Sequence, residues 1–429
     1  MTSRVKLLMF FVAIALFTAH SQPYKSPVLP DKIVGIHIHD YRLFLHNQPS
    51  PVPLDRLYCR GDYCFFLVNE SDIHRLRSAN IGFIELQAPA PSTPGLAQPQ
   101  GDVNGRYHHY RETGALLFDL AGRFPDMARV FSIGQSIEGR ELYVIKISDN
   151  VLAEEEEPNI FIAGCHHARE WISVEVPLLF AQYLLEHFDD NPQVRRAVEG
   201  GQIYILPIQN PDGLEFSIYR YRFWRKNRRY NGNLLWGVDP NRNYGYQWGY
   251  DDTGSSPDPG SVTYRGTGPF SEPECSAVRD FLLAHPPAGS VSFHNYSQVI
   301  IFPWAYVDEL TADDAEMREI AKNMSERIYP VNGRIYRYGT GPELLYPTNG
   351  DLDDWVYATF GVPAFTVELP AIDLFSGGFF TSEEEIDLSF SENLPALLYF
   401  VNHFIPEDDD SQSAAPTPPS APGPLSAPR

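Results

Sequence analysis

Short apolar runs alternate with longer helical patterns through the middle of the chain. NIFIAG (159–164), QIYILPI (202–208) and PAFTVEL (363–369) have the length of strands, and SVSFHNYSQVIIF (290–302) is rich in β-forming residues. WISVEVPLLFAQYLLEHF (171–188) has the length and apolar spacing of a helix. This alternation predicts an α/β layer fold around a largely parallel or mixed sheet.

The segments on either side differ from this pattern. Residues 22–87 contain strand-like IVGIHI, helix-like ESDIHRLRSAN and strand-like GFIEL, which predicts a small α+β unit. Residues 88–105 are rich in Pro, Gly and Ala and predict an exposed linker. The large domain then extends over 106–405, and the acidic, Pro-rich residues 406–429 predict a disordered tail.

The N-terminus has the layout of an export signal. Basic residues precede the apolar run LLMFFVAIALF (7–17), and Ala-His-Ser (19–21) offers a small-x-small cleavage site. The apolar run is too short to span a bilayer comfortably. We therefore expect residues 1–21 to be a cleaved signal peptide and the protein to be secreted, or periplasmic in a Gram-negative bacterium. An uncleaved anchor is the alternative.

Export also affects whether the four cysteines are expected to form disulfides. Cys59 and Cys64 flank a Gly-Asp turn in YCRGDYCF, a pattern that predicts a disulfide across a hairpin. Cys165 and Cys275 lie far apart in the sequence, and we expect them to stay unpaired.

Composition and charge narrow the function classes. With 429 residues, 43% of them hydrophobic, the chain can bury a large core. Its net charge of −22 argues against nucleic-acid partners and against binding to anionic membranes. The basic cluster RFWRKNRR (222–229) is too short and isolated to change that expectation.

Two similar segments suggest metal binding, HHYRE (108–112) and HHARE (166–170). A His-x-x-acid spacing is a weak signal, because a chain with 13 His and 55 acidic residues is expected to contain about two by chance. The first segment leads into the amphipathic GALLFDLAGRF, so we interpret it as the first turn of a helix. The second follows a buried strand and Gly164, at the strand end where open α/β sheets build their sites. A metal there needs a third ligand, and His294 is the best candidate.

Seven motifs, in order, make the large domain resemble the zinc metallocarboxypeptidases of the pancreatic carboxypeptidase A/B type and their secreted bacterial relatives. The similarity covers essentially all of 106–405. The motifs are GCHHAREWIS (164–173), NPDG (210–213), FWRKNR (223–228), GVDPNRN (237–243), FHNYSQ (293–298), YPTNGDLDDW (346–355) and FTVEL (365–369).

The resemblance implies a three-layer α/β/α sandwich around a mixed eight-stranded sheet, and one Zn²⁺ per chain. His167, Glu170 and His294 are then the zinc ligands, and His166 is not one. The other implied roles are general base for Glu368, oxyanion stabilisation for Arg225, orientation of a zinc His for Asp239, and substrate binding for Asn241, Arg242, Tyr346, Tyr296 and Arg169.

The resemblance also suggests the substrate. Asp353 falls at the floor of the pocket for the terminal residue, where Asp goes with C-terminal Lys or Arg, and Gly341 matches the same class. Asp351 departs from the pattern, because Gly is usual there. This extra carboxylate either reinforces the basic preference or broadens it. Broad or hydrophobic (A-type) specificity, and a non-catalytic peptide-binding relative, are the alternatives.

The family is often made as a zymogen, which gives the N-terminal unit an expected role. Residues 22–87 match a prodomain in position, and 88–105 match a connecting segment cut by an activating protease. The partners we expect are therefore peptide or protein C-termini and an activating protease. We expect no nucleic acid, no membrane after signal cleavage, and a monomer. SEPE (271–274) further predicts a capping box at a helix start, with Ser271 as the cap.

Overall fold

A computed structural model describes most of the chain. The predictions for the signal peptide, for residues 88–103 of the linker and for residues 407–429 of the tail lie outside the described part. The described residues are 32–37, 39–40, 55–60, 63–68, 70–87, 104–372 and 378–406.

The N-terminal unit contains a sheet of four antiparallel strands in the order β2-β3-β1-β4, as far as it is described. Cys59 lies opposite Cys64 in the pairing of β2 with β3. Their side chains are outside the described part, so the disulfide stays a prediction. The elements are β1 (Lys32–His37), β2 (Asp55–Arg60), β3 (Tyr63–Val68), α1 (Glu70–Ser78) and β4 (Phe83–Gln87).

The large domain contains one sheet of eight strands among the residues described, in the order β11-β10-β12-β9-β7-β8-β6-β5. The four strands from β12 to β8 run parallel, whereas β5, β6 and β10 make antiparallel pairs. The sheet is therefore mixed, as predicted. The strands are β5 (Ala128–Gln135), β6 (Glu141–Ile147), β7 (Asn159–Gly164), β8 (Gln202–Leu206), β9 (Gly289–Asn295), β10 (Val299–Phe302), β11 (Arg337–Thr340) and β12 (Ala364–Leu369).

Helices cover both faces of this sheet. One core joins it to α2, α3, α4, α7 and α10, and a second core joins its other face to α6 and α9. The helices are α2 (Tyr110–Arg123), α3 (Ile172–Glu186), α4 (Pro192–Glu199), α5 (Pro211–Tyr219), α6 (Pro273–Ala284), α7 (Asp314–Asn332), α8 (Gly341–Leu344), α9 (Leu352–Phe360) and α10 (Glu384–His403), with a 3₁₀ turn at Pro240–Arg242.

The central strand β7 shows why strands of the middle layer are continuous apolar runs in the sequence. Ile160 and Ile162 lie in the first core, while Phe161 and Ala163 lie in the second. A strand buried on both faces needs no polar alternation. Each large side chain buried this way stabilises the fold by about 2 kcal/mol. The three-layer α/β/α architecture is thus confirmed.

One local prediction is corrected. The helix α6 is capped at Glu272, not Ser271, because Pro273 occupies its first position, where its ring suits the helix start. Glu274 accepts from the Ile137 amide rather than closing a capping box. The β-rich segment 290–302 forms two strands, β9 and β10, and both pair with β12.

No helix among the described residues is both long enough and apolar enough to cross a membrane.

Candidate active site

The carboxyl ends of β7, β9 and β12 meet at one edge of the sheet, because these neighbouring strands are parallel. A cavity of about 910 Å³ opens there. All but one of the site residues predicted from the sequence line it, and the exception, Asp239, is buried. The lining residues of this set are His167, Arg169, Glu170, Arg225, Asn241, Arg242, His294, Tyr296, Tyr346, Asp353 and Glu368.

A sharp turn after β7 brings His167, the first of these residues in the sequence, to the cavity. Cys165 has a left-handed backbone, with φ of 55°. A Cβ atom on Gly164 would collide with the carbonyl oxygen of Ser173 and would lie 2.9 Å from that of Pro207. Glycine is therefore required where the strand turns toward HHARE.

Three buried side chains converge in this turn region. The Nδ1 atom of His167 lies 2.9 Å from Oε1 of Glu170 and 3.1 Å from Nδ1 of His294. The His294 Nδ1 atom is also 3.1 Å from the second oxygen of Glu170. Two imidazole nitrogens and a carboxylate are a donor set that Zn²⁺ takes in catalytic sites, which keep a fourth position open.

The electrostatics suit a metal centre. Burial raises the pKa of Glu170, but His167 and His294 outweigh burial and hold that pKa well below its ordinary range. Burial also lowers the pKa of His294, which keeps its ring neutral and able to bind metal. The residues present therefore fit zinc.

His166, next in sequence to His167, takes no part in this group. Its ring is fully buried, with Nε2 3.2 Å from the Tyr244 hydroxyl and Nδ1 3.2 Å from the Ser292 hydroxyl. His167, Glu170 and His294 form a buried group that could hold a metal, and His166 is not part of it. The expectation that His166 is not a ligand agrees with this placement.

Asp239 contacts two of the site residues, His167 and Arg225, without lining the cavity itself. Its Oδ1 atom lies 3.3 Å from Nε2 of His167, and its Oδ2 atom accepts from Nε of Arg225 at 2.9 Å. Burial raises the pKa of Asp239, but Arg225 and His167 more than offset this and hold it well below its usual value. An ionised carboxylate on the far nitrogen of a metal-binding His fixes its tautomer and orientation.

Glu368 stands beside the metal group on the strand next to β9. Its Cα atom pairs with that of His294 in the parallel ladder. Its Oε2 atom is buried and accepts no hydrogen bond from the described part of the chain. Burial and the nearby Glu170 raise the pKa of Glu368 well above its ordinary value. This carboxyl can therefore both take up and release a proton.

The 3₁₀ turn presents Asn241 and Arg242 to the cavity. Asp239 caps this turn by accepting from the Asn241 amide at 3.0 Å. Arg242 donates from Nε to the carbonyl of Gly254 at 2.9 Å and from Nη1 to that of Asn241 at 2.6 Å. The guanidinium is thus held in a fixed plane, as recognition of a carboxylate by two donors requires.

Two carboxylates from the start of α9 line the cavity. Asp351 caps α9, accepting from the Asp354 amide at 2.9 Å and from the Thr348 hydroxyl at 2.7 Å. Asp353 is buried, and its Oδ1 atom has no hydrogen-bond partner within the described residues. Burial, and then Asp351, raise the pKa of Asp353 well above its ordinary value, while a hydrogen bond from Thr366 opposes them.

The remaining wall includes residues that sequence reasoning missed. Arg169 and Tyr296 were expected, but Phe379 joins them and Thr366 faces Asp353. Thr366 lies two residues before Glu368 on β12 and so shares its face, which is a signal the sequence did carry. Phe379 follows a stretch with no strand or helix pattern, so nothing in the sequence marked it. Tyr346, 37% exposed, stands at the cavity mouth.

The HHYRE segment forms the first turn of a helix, as predicted. His109 caps α2 by accepting from the Arg111 amide, and Glu112 accepts from the His109 amide at 3.0 Å. His108 is 2.7 Å from Glu175. The spacing of HHYRE thus serves a capping box.

Comparison with known proteins agrees with this site. The family model described as "Zinc carboxypeptidase" matches residues 114–396. Carboxypeptidase B of Astacus astacus is 35% identical over 286 residues, covering 65% of this chain and 91% of that protein. Carboxypeptidase A1 of Rattus norvegicus is 31% identical over 301 residues, covering 70% of each chain.

A solved structure extends the likeness. The crystal structure of thrombin activatable fibrinolysis inhibitor superposes with a TM-score of 0.71 at 27% identity, covering 88% of this chain and 99% of that one. The match of the family model over more than half of the chain, together with the converging zinc ligands, identifies the family. This chain belongs to the zinc carboxypeptidase family.

Proposed function

We propose that this zinc carboxypeptidase prefers substrates ending in Lys or Arg. The observation that supports the preference is Asp353, a buried carboxylate in the cavity whose Oδ1 atom no described residue satisfies. Leaving such a group unpaired is costly, and a cationic substrate head would satisfy it. Asp351 adds a second buried acidic group to the same cavity.

The remainder of this pocket suits the stem of a basic side chain. Ile301, Phe302 and Ala305 give the cavity apolar surface, and Gly341 leaves space beside Ala305. A long methylene stem packs on such walls while its charged head reaches a carboxylate. Steady-state rates on peptides that differ only in the last residue test the preference. Equal rates for C-terminal Arg and Leu would instead support broad specificity.

We propose a separate catalytic role for each residue near the metal site. Zinc, when bound, supplies Lewis-acid activation of water and of the scissile carbonyl. We infer that Glu368 takes a proton from the attacking water and delivers it to the leaving amine. We infer that Arg225, which donates to Asp239, stabilises negative charge on the carbonyl oxygen.

Arg242 and Asn241 are proposed to bind the free carboxylate of the substrate, with Tyr346 at the mouth closing over it. We expect Arg242→Gln to raise KM at least tenfold for peptides with a free C-terminus, because a bidentate charged contact is lost. Amidated peptides should be poor substrates for both enzymes. If the variant discriminated against amidated peptides as strongly as the wild type, Arg242 would not be the carboxylate receptor.

The adjacent histidines of HHARE offer a matched test of the metal site. We expect His167→Gln to lose the bound zinc, because it removes a ligand, and His166→Gln to keep about one zinc per chain. Metal content of the folded, purified variants measures this directly. Loss of zinc in the His166 variant together with retention in the His167 variant would contradict the assignment.

We further propose that the protein is secreted and made as a zymogen. The support is the signal-like sequence of residues 1–21 and the separate α+β unit within 22–87, followed by the Pro-rich linker 88–105. Activity measured before and after limited proteolysis in the linker tests this. Unchanged activity would indicate that the unit aids folding and does not inhibit.

A further inference from the structure

We propose that His166 is a positioning residue for the metal site, which acts through Ser292 to fix the orientation and the tautomer of the zinc ligand His294. His166 does not line the cavity, so it contacts neither the substrate nor the metal. The proposal rests on the zinc group alone. Failure of the proposed substrate preference, or of the proposed general base, would leave it unchanged.

A continuous chain of hydrogen-bonded side chains leads away from His294. The Nε2 atom of His294 lies 3.0 Å from the Ser292 hydroxyl, and that hydroxyl lies 3.2 Å from Nδ1 of His166. The Nε2 atom of His166 lies 3.2 Å from the Tyr244 hydroxyl, which contacts the side-chain amide of Gln209 at 2.5 Å. We call these four residues beyond His294 the outer chain.

Every member of the outer chain is buried, with 0% of its surface exposed. Because a buried polar group without a partner is costly, each contact in the chain holds its neighbour in place. The ring of His166 also stacks on that of His294, with centroids 5.1 Å apart and planes at 21°. His166 therefore restrains His294 by packing on its ring and, through Ser292, by a hydrogen bond at its edge.

The chemistry of the two rings gives this chain one direction. The Nδ1 atom of His294 faces the other two metal-binding residues, so the ring carries its proton on Nε2 when Nδ1 binds a metal. This Nε2 donates to the Ser292 hydroxyl, and the hydroxyl donates to Nδ1 of His166. The acceptor that His166 presents thus selects, through Ser292, the tautomer of His294 that binds zinc.

The two zinc histidines have outer partners of different kinds. His167 has the buried, ionised carboxylate of Asp239 3.3 Å from its Nε2 atom, and a carboxylate can only accept. His294 has the hydroxyl of Ser292, which can either donate or accept, so it does not by itself fix the proton of His294. His166 supplies the acceptor that makes this hydroxyl donate away from the metal site.

The zinc affinity of the purified full-length protein, measured by competition with a chelator of known affinity, tests the proposal. We expect Ser292→Ala to weaken zinc binding about thirtyfold and His166→Gln about tenfold, because loss of an outer partner of a metal-binding His typically costs about 10–100-fold. A loss of this size still leaves about one zinc per chain at purification, whereas His167→Gln removes a ligand and empties the site.

Two replacements of His166 separate the hydrogen bond to Ser292 from packing. The amide of Asn takes the place of Nδ1, so His166→Asn can still accept from Ser292. The amide of Gln takes the place of Nε2, so His166→Gln keeps the contact with Tyr244 and loses the one with Ser292. We therefore expect His166→Asn to bind zinc within about threefold of the wild type. Equal weakening by the two replacements would overturn the proposal.

Ser290→Ala is the matched control for Ser292→Ala. Ser290 lies two residues earlier on β9, on the same face and equally buried, and its hydroxyl has no hydrogen-bond partner among the described residues. This control should change zinc affinity less than about twofold. The unfolding midpoint of the metal-free protein, measured for the same variants, reports a purely structural effect. Equal zinc affinities in the two Ala variants, or lowered midpoints with unchanged zinc affinity, would contradict the role of the outer chain.

A double-mutant cycle tests whether His166 acts through Ser292. If it does, His166→Gln should add less than about twofold to the weakening that Ser292→Ala causes. Independent effects would instead multiply to about three-hundredfold, and that result would refute the proposed path from His166 to His294.

Discussion

Replacing Glu368 with Gln should lower kcat by about a thousandfold or more, since a positioned general base contributes about 10²–10⁴ in rate. The amide cannot accept the water's proton, yet it keeps the volume of the carboxyl. Glu368 neighbours the metal group without belonging to it. The variant should therefore retain zinc, so kcat and metal content measured on one preparation check the prediction.

A second buried glutamate provides the control for this variant. Glu274 lies in α6 outside the cavity, and burial raises its pKa to about 7. Glu274→Gln removes a buried carboxyl of similar character and should leave kcat within about twofold. Near-normal activity in Glu368→Gln, or loss of its zinc, would end the assignment of Glu368 as base.

Replacing Asp353 with Asn should reduce kcat/KM about a hundredfold for C-terminal Arg and Lys, while C-terminal Leu changes little. A substrate cation buried without its partner loses several kcal/mol. Asn is close to isosteric with Asp and can keep the contact with Thr366. Rates on peptides that differ only in their last residue give the ratio directly. Equal loss on both classes would refute the specificity assignment.

The same carboxyl predicts a pH dependence of selectivity. Burial and then Asp351 raise the pKa of Asp353, and only its ionised form attracts a cation. As pH falls through that raised pKa, Asp353 takes up a proton, and the preference for Arg over Leu should decline. The Asp353→Asn variant should show a flat ratio over the same range. A flat ratio in the wild type would contradict this account.

Asp351→Asn is the matched control for Asp353→Asn, because both residues line the same cavity. Asn at this position can still cap α9 and meet Thr348, so Asp351→Asn removes the charge with little structural cost. We expect a smaller loss on C-terminal Arg than Asp353→Asn causes, because the Asp351 oxygens already accept two hydrogen bonds. A larger loss would make Asp351 the main determinant.

The sequence by itself determined the local chemistry of this protein. The β7 run predicted a buried strand, because its residues are apolar from Ile160 to Ala163. Gly164 indicated the turn, and the resemblance carried by the seven ordered motifs assigned His167, Glu170 and His294 as zinc ligands. These inferences worked because strand length, turn residues and metal-ligand spacing are properties of short segments.

Tertiary structure alone decided what depends on distant segments. It supplied the physical reason that His166 is no ligand, because the hydroxyls of Tyr244 and Ser292 contact its ring while Asp239 and the metal group contact the ring of His167. It also brought Phe379 to the cavity wall through Arg222, 157 residues away in sequence. A sequence pattern indicates which residues can be buried and which can bind a metal. Packing decides which distant residues they contact.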